Sequence, residues 1–355
     1  MECPYFDSCG GCYYSIPYKE QLREKKYELN EIFKKDIELF PSPLTEGYRQ
    51  RMDYVYAFKK LGLRKQGNFK NVVDIKKCTL ISEKMNNVSL KVRELLQKYN
   101  IRSYDYLKHD GYLRYVVIRE AKFTGQIMVC FVTADTNEDI MKVIDEIKEH
   151  VDSVVWSIND TRTDSSLGTV HKGFNEYIEE DFDGVKYKIS ANVFFQSNPI
   201  FAKEIFKEIK EYVKGETLEL FCGIGAITLY AAENTTKITG VEASDEAIEL
   251  AKENAKINNI NAEFICEDAR SYLIKAKTPQ TLIADPPRAG LGRDLCRKIL
   301  WKKPERIIIM SCNPKTLAHD LHILEKKYEI KFLKAFDMFP HTKHMECLCM
   351  LERIK

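Results

Sequence analysis

No stretch of this 355-residue sequence stays apolar over the roughly 20 residues that span a bilayer. Its start, Met1-Glu2-Cys3-Pro4, is unlike a secretory leader. A cytoplasmic protein is expected. An excess of charge of one sign is lacking too. Lys and Arg total 55 against 53 Asp and Glu, a net charge of +2, so bulk charge calls for no polyanion. Any nucleic-acid surface has to come from local clustering. The eleven cysteines are an odd number dispersed over a long chain. That argues against a secreted disulfide framework and fits metal or catalytic roles in a reducing compartment. Internal repeats and low-complexity segments are missing. What remains is an ordinary globular composition, 44% hydrophobic and 30% charged, with length for about two domains.

The first motif is Cys3-Pro-Tyr-Phe-Asp-Ser-Cys9-Gly-Gly-Cys12, with Cys78 far behind it. Three soft ligands on a short glycine-bearing loop can wrap one metal centre, and a distant fourth can close it. Four thiolates suit zinc or an iron–sulfur cluster. Zinc sites more often use two Cys-x2-Cys pairs and only one is present, so the spacing leans to [4Fe–4S]. From Tyr18 to Phe40 the pattern is that of an amphipathic helix, ended by Pro41 and Pro43. From Tyr48 to Lys77 the chain is rich in Lys and Arg, with only Asp53 and Asp74 opposing them. Tyr54, Tyr56 and Phe58 alternate through it as in a strand. Basic groups with aromatic faces nearby are what an RNA-binding sheet needs, although a solvated strand face has the same look. Residues 87–190 read as α+β, with paired strands near 112–119 and 126–132. Arg114 and Arg119 face either a polyanion or solvent, and Cys130 is read as core.

Beyond Asn192 the pattern becomes regularly β/α. Leu218 to Ala226 reads as strand, glycine turn and helix, but the third glycine of the dinucleotide fingerprint is replaced by Thr228. A second strand ends in Glu242, where a carboxylate can accept both ribose hydroxyls of an adenosine. With no phosphate cradle, an adenosyl group lacking pyrophosphate fits, and S-adenosylmethionine is one. Asp268 ends a third strand, positioned for an adenine amino group or simply solvated. A fourth strand ends in Asp285-Pro286-Pro287-Arg288.

Ile307 to Met310 is an apolar strand that stops at Ser311-Cys312-Asn313-Pro314. This puts Cys312 at the carboxyl edge of the sheet, where open α/β sheets bind ligands. Taken alone, Cys312 reads as a core thiol. Beside these other strand ends it reads as a nucleophile. Glu346 opens a last apolar strand, as a carboxylate able to act as a base near a closed pocket. Cys347 and Cys349 are read as core.

Together these residues resemble the RNA uracil-C5 methyltransferases that use S-adenosylmethionine. The resemblance covers nearly the whole chain and rests on Phe194-Phe-Gln-Ser-Asn198, Leu218-Glu-Leu-Phe-Cys-Gly-Ile-Gly225, Asp285-Pro-Pro-Arg288, Ser311-Cys-Asn-Pro314 and Phe339-Pro-His-Thr-Lys-His-Met-Glu346. It implies a Rossmann-like methyltransferase domain at residues 191–355 and a central α+β domain at 86–190. An N-terminal iron–sulfur loop with a basic RNA-binding segment falls at 1–85. It further implies Cys312 as the nucleophile toward uracil C6 and Glu346 as the base that removes the C5 proton. Gln196, Phe221, Glu242 and Asp285 are the implied cofactor contacts, and Phe194 holds the flipped base.

The leading cysteines are similar to those of the iron–sulfur branch, which mainly modifies 23S ribosomal RNA. That likeness implies a [4Fe–4S] cluster on Cys3, Cys9, Cys12 and Cys78. The expected product is 5-methyluridine, with RNA as partner and no protein partner called for. The same chemistry on tRNA, or an inactive RNA-binding iron–sulfur protein, are the alternatives. Two departures stand out. Many relatives carry an extra OB-like module ahead of the cysteine loop, and Glu219 and Phe221 stand where Asp and Tyr are common.

Overall fold

From Pro199 onward, apolar runs of strand length alternate with helices that have one apolar face. Strands of this kind are covered on both sides and build a mainly parallel sheet. The computed structural model describes residues 3–354; Met1, Glu2 and Lys355, which the sequence boundaries include, lie outside it.

The chain opens with helix α1 (Tyr18–Phe33) and strand β1 (Glu38–Phe40). A central sheet then takes β2 (Arg51–Ala57), β3 (Lys60–Lys65), β4 (Asn68–Asp74), β5 (Leu113–Glu120), β6 (Ile127–Thr133), β7 (Ser153–Ile158) and β8 (Thr169–Phe174). Helices α2 (Glu83–Lys98) and α3 (Met141–Ile147) lie between its strands in the chain. The spatial order is β4-β3-β2-β5-β6-β7-β8, antiparallel except for the β6–β7 pair. The hairpin of β9 (Ile178–Phe182) and β10 (Val185–Ile189) follows. Its Phe182 and Tyr187 pack on Phe195, tying the hairpin to the carboxyl half.

The carboxyl half holds α4 (Pro199–Tyr212), β11 (Glu216–Leu220), α5 (Ala226–Ala231), β12 (Lys237–Glu242), α6 (Asp245–Ile257), β13 (Glu263–Cys266) and α7 (Ala269–Lys275). It continues with β14 (Thr281–Ala284), α8 (Gly292–Lys302), β15 (Arg306–Ser311), α9 (Pro314–Leu324), β16 (Tyr328–Phe336) and β17 (Glu346–Arg353). Its sheet has the order β1-β16-β17-β15-β14-β11-β12-β13. Strands β15, β14, β11, β12 and β13 are parallel, and β17 runs antiparallel between β15 and β16. The carboxyl ends of β11, β12, β14 and β15 therefore share one edge, and β17 enters the sheet from that same edge. Among the described residues no helix is long and apolar enough to cross a membrane.

Four sequence expectations need correction. The first helix stops at Phe33, because Lys34 turns left-handed, and residues 38–40 instead add β1 beside β16. The boundary at residue 85 cuts one sheet, since β2 pairs with β5 across it. Tyr54 and Tyr56 offer no face to RNA. Both are buried in the core beneath α2, where their rings replace aliphatic packing. Arg114 and Arg119 face neither solvent nor a polyanion. Each is fully buried and donates from Nη1 to main-chain carbonyls: Arg114 to those of Asn159 and Thr161 (both 2.6 Å), Arg119 to that of Val193 (2.9 Å). They staple loops that a sequence pattern does not reveal.

Candidate active site

The thiol of Cys312 follows the last residue of β15, and the carboxylate of Glu346 is the first of β17. These strands pair with Ser311 opposite Cys347. One step further along an antiparallel ladder sets Cys312 across from Glu346 on a common face. Sequence separation conceals this proximity, and the insertion of β17 beside β15 creates it.

Asp285 comes from the end of β14, the next strand over, and accepts a hydrogen bond from Gln196 Nε2 at 3.1 Å. The three acidic groups perturb one another. Burial pushes the Asp285 carboxyl up to about 7, with the Gln196 hydrogen bond opposing. Glu346 is pushed well above the usual carboxylate range, first by burial and then by the Asp285 charge. The Cys312 thiol rises to about 11 through burial and the charges of Glu346 and Asp285, while the Arg288 guanidinium pulls it back down. Glu346 Oε1 is buried and has no hydrogen-bond partner among the described residues. Such an acceptor costs on the order of 1–3 kcal/mol unless something that enters the site satisfies it.

The neighbouring edge is built for a ligand that touches backbone. Phe221 and Gly223 both turn left-handed, at φ 64° and 53°, to lead β11 into α5. A Cβ placed on Gly223 would meet nothing within 4 Å, so the turn faces open space. Gly225, also left-handed at φ 79°, is needed for packing: its Cβ would lie 2.8 Å from the Phe264 ring. Glu242 at the end of β12 accepts the N–H groups of Ala243 (2.7 Å), Ser244 (3.1 Å) and Gly223 (3.3 Å). These bonds fix the carboxylate beside the turn. Phe194 is 66% exposed, a free aromatic face on the segment that carries Gln196. Asp268 is not part of this group. It caps α7 through the N–H groups of Arg270 and Ser271, which is the bland reading of a strand-end acid.

Several residues of the site escaped the sequence reading. Arg288 Nη2 lies 2.7 Å from His344 Nδ1, joining the loop after β14 to the loop before β17. That second loop is gripped by α1. Lys25 Nζ donates to Asp337 Oδ1 at 2.6 Å and to the carbonyls of Phe339 and His344, each at 3.2 Å. Gln21 Oε1 accepts the His341 N–H at 2.9 Å. Gln21, Lys25 and Leu29 recur every four residues on the buried face of α1. An acid in an apolar run, Ala335-Phe336-Asp337-Met338, was the one available signal.

The four leading cysteines also meet. Cys3, Cys9, Cys12 and Cys78 line a single cavity with Arg49, Leu63 and Lys77. Gly10 N donates to Arg64 O at 3.0 Å, which docks the cysteine loop on β3, and Asn86 Oδ1 accepts the Cys78 N–H at 2.8 Å. Burial and the charges of Cys78, Cys9 and Cys3 push the Cys12 thiol up to about 12. Among the described residues, however, no three His, Cys, Asp or Glu side chains are grouped closely enough to hold one metal ion.

A glycine turn, a strand-end acid and a strand-end thiol on one edge of a mixed sheet define an α/β protein with its ligand site at the carboxyl ends of the parallel strands. Comparison with known proteins carries this further. Residues 17–354 match the model of the family described as tRNA (uracil-5-)-methyltransferase. The tRNA (uracil(54)-C(5))-methyltransferase of Pyrococcus furiosus is 38% identical over 99% of this chain and 85% of its own. An RNA methyltransferase of Clostridium acetobutylicum is 35% identical over 99% of this chain and 84% of its own. The crystal structure of the Pyrococcus abyssi tRNA (uracil-54, C5)-methyltransferase in complex with S-adenosyl-L-homocysteine superposes with a TM-score of 0.86. It is 34% identical, covering 95% of this chain and 84% of that one. The chain belongs to the tRNA (uracil-5-)-methyltransferase family and is an RNA (uracil-5-)-methyltransferase.

Proposed function

We propose that this enzyme transfers a methyl group from S-adenosylmethionine to C5 of a uridine in tRNA, through a covalent adduct between Cys312 and C6 of the base. The observation that carries it is the meeting of Cys312, Glu346 and Asp285 at one sheet edge. Uracil C5 is a poor nucleophile. Addition of the Cys312 sulfur to C6 places an enolate across C4 and C5, and C5 then has the electrons to take a methyl group. Glu346 removes the C5 proton, the C6–sulfur bond breaks, and the planar ring returns with the thiolate as leaving group. Arg288 supports the thiolate on which the first step depends. Phe194 offers a face to a base that has left its stack.

The residues fit an adenosyl cofactor. The turn at Gly223, which Phe221 leads into, is open, Glu242 is fixed beside it where ribose hydroxyls can donate to it, and Gln196 holds Asp285 at the end of the neighbouring strand β14. S-adenosylmethionine supplies, when bound, the electrophilic sulfonium methyl.

The likeness of the leading cysteines to the iron–sulfur branch points to 23S ribosomal RNA. Three Pyrococcus relatives at 36–38% identity carry tRNA position 54 in their names, and that supports tRNA, with 54 as the position. Four cysteines around one cavity support a metal centre, and their single Cys-x2-Cys pair favours [4Fe–4S] over zinc. Anaerobic purification should give a brown protein with iron and sulfide; a colourless one with stoichiometric zinc counts against the cluster.

The chemistry is tested with 5-fluorouridine-containing tRNA and cofactor. Wild type is expected to form a covalent complex stable to denaturation, and Cys312→Ala none. A complex formed equally well by the variant removes Cys312 from its role. Digestion of tRNA and of 23S RNA after methylation locates the product, and label found only in 23S RNA overturns the tRNA assignment.

A further inference from the structure

A second cleft adjoins the loop that carries His344. It is open to solvent, is lined by Tyr13, Arg23, Glu24, Tyr27, Glu28 and Lys343, and has a volume of about 530 Å³. Small-molecule pockets span roughly 300–1,000 Å³. The residues from α1 form one stripe, at spacings of one and four, while Gln21, Lys25 and Leu29 occupy its buried face. Tyr27 is 70% exposed and Tyr13 49%. Lys343 Nζ lies 3.8 Å from the centre of the Tyr13 ring. The cleft and the active site share a loop. Tyr13 and Tyr14 donate their N–H groups to His341 O at 2.7 and 3.0 Å, and Lys343 immediately precedes the histidine that meets Arg288.

The chemistry of the lining selects its guest. Two cations face two carboxylates, so the cleft is close to neutral and is not a phosphate track. Exposed aromatic rings offer faces for stacking, and an aromatic face accepts any base. Arg and Lys donate hydrogen bonds, whereas Glu accepts them, and the edge of a nucleobase presents both kinds of partner. RNA whose target base has been splayed out also exposes its neighbours.

We propose that this cleft holds a second nucleobase of the substrate RNA, unstacked and close in sequence to the methylated uridine, with its face on Tyr27, beside the Lys343-capped Tyr13 ring, and its edge on the four charged groups. The proposal rests on the RNA-substrate reading above and adds to it a binding site that selects RNA by a nucleotide other than the target.

The test uses the full enzyme and a synthetic tRNA-type stem-loop containing the target uridine, with 2-aminopurine placed at one flanking position at a time. Wild type should quench the fluorophore strongly at one position. Tyr27→Ala should abolish that quenching and weaken RNA binding roughly 10-fold, the loss expected for one stacked ring. At saturating RNA its kcat should stay within about twofold, because no reacting atom is touched. Tyr27→Phe, which keeps the ring, should bind within about threefold of wild type. Tyr27 is largely exposed, so its removal leaves the fold intact, and Tyr13→Ala serves as a second variant. Unchanged quenching and affinity in both alanine variants, with methylation normal, overturns the cleft and leaves the substrate reading standing. If wild type methylates no RNA, the substrate reading fails, and the cleft proposal falls with it.

Discussion

Lys25 and Asp337 form an ion pair of 2.6 Å with both side chains fully buried, 312 residues apart in the chain. The pair joins α1 to the loop between β16 and β17, and the remaining Lys25 donors hold the carbonyls of Phe339 and His344. Burial lowers the Lys25 ammonium and the Asp337 charge raises it again, so the ion depends on its partner.

Lys25→Met should therefore destabilise the fold by about 3–5 kcal/mol, the usual cost of leaving one buried charge alone. Pairing it with Asp337→Asn should recover a good part of that loss, which urea unfolding of the two variants measures. At temperatures where Lys25→Met stays folded, its kcat should fall by one to two orders of magnitude, because a small misplacement of a catalytic group is costly. KM for RNA should change much less. A Lys25→Met enzyme with wild-type kcat would show that the loop needs no such anchor.

Glu346→Gln keeps the side chain's size and removes its basicity. Addition of Cys312 and methyl transfer remain possible, so a methylated covalent adduct should accumulate on natural RNA and be visible on a denaturing gel. Turnover should drop by roughly 10²–10⁴-fold. Turnover at the normal rate without adduct would assign the base elsewhere.

The Arg288 guanidinium pulls the Cys312 thiol down against burial and the Glu346 and Asp285 charges. Replacing it with Ala should slow alkylation of Cys312 at any given pH, read peptide by peptide by mass spectrometry, and shift the activity profile to higher pH. Arg288→Lys keeps the charge and should restore part of the rate; its failure to do so would point to the planar contact with His344 instead.

Glu219 is buried in β11 and accepts a hydrogen bond from Thr228 Oγ1. Burial pushes its carboxyl up to about 8, with the Thr228 bond opposing. At pH below the unfolded value, near 4.5, folded and unfolded chains both hold the proton. As pH rises, the unfolded chain releases the proton first, so stability falls until about pH 8 and then levels off. Glu219→Gln cannot titrate. It should be more stable than wild type at pH 8, on the order of 1–3 kcal/mol, with the difference shrinking toward pH 5. A difference that does not vary with pH would show that the carboxyl is ionised in the fold.

The alternation of apolar runs with amphipathic helices after Asn192 was enough to foresee a β/α series, because buried parallel strands and their helices have distinct periods. The strand-end positions of Glu242, Asp285 and Cys312 followed from where each apolar run stops. The basic central segment misled, since strand alternation says that two faces differ but not that both are covered. Tyr54 and Tyr56 looked like an RNA platform and proved to be core.

The residue types of the chemistry were set by the sequence alone: a thiol, carboxylates and glycines, each at the break of a local pattern. Their company was decided by the tertiary structure. Strand β17 slips antiparallel between β15 and β16 to bring Glu346 to Cys312, and α1 reaches back from the amino end to clamp the loop before it. Local periodicity reports which groups are buried and which end a strand. Pairing between segments hundreds of residues apart is fixed by the total burial of apolar surface and the pairing of buried charges, and neither quantity resides in any one stretch of the chain.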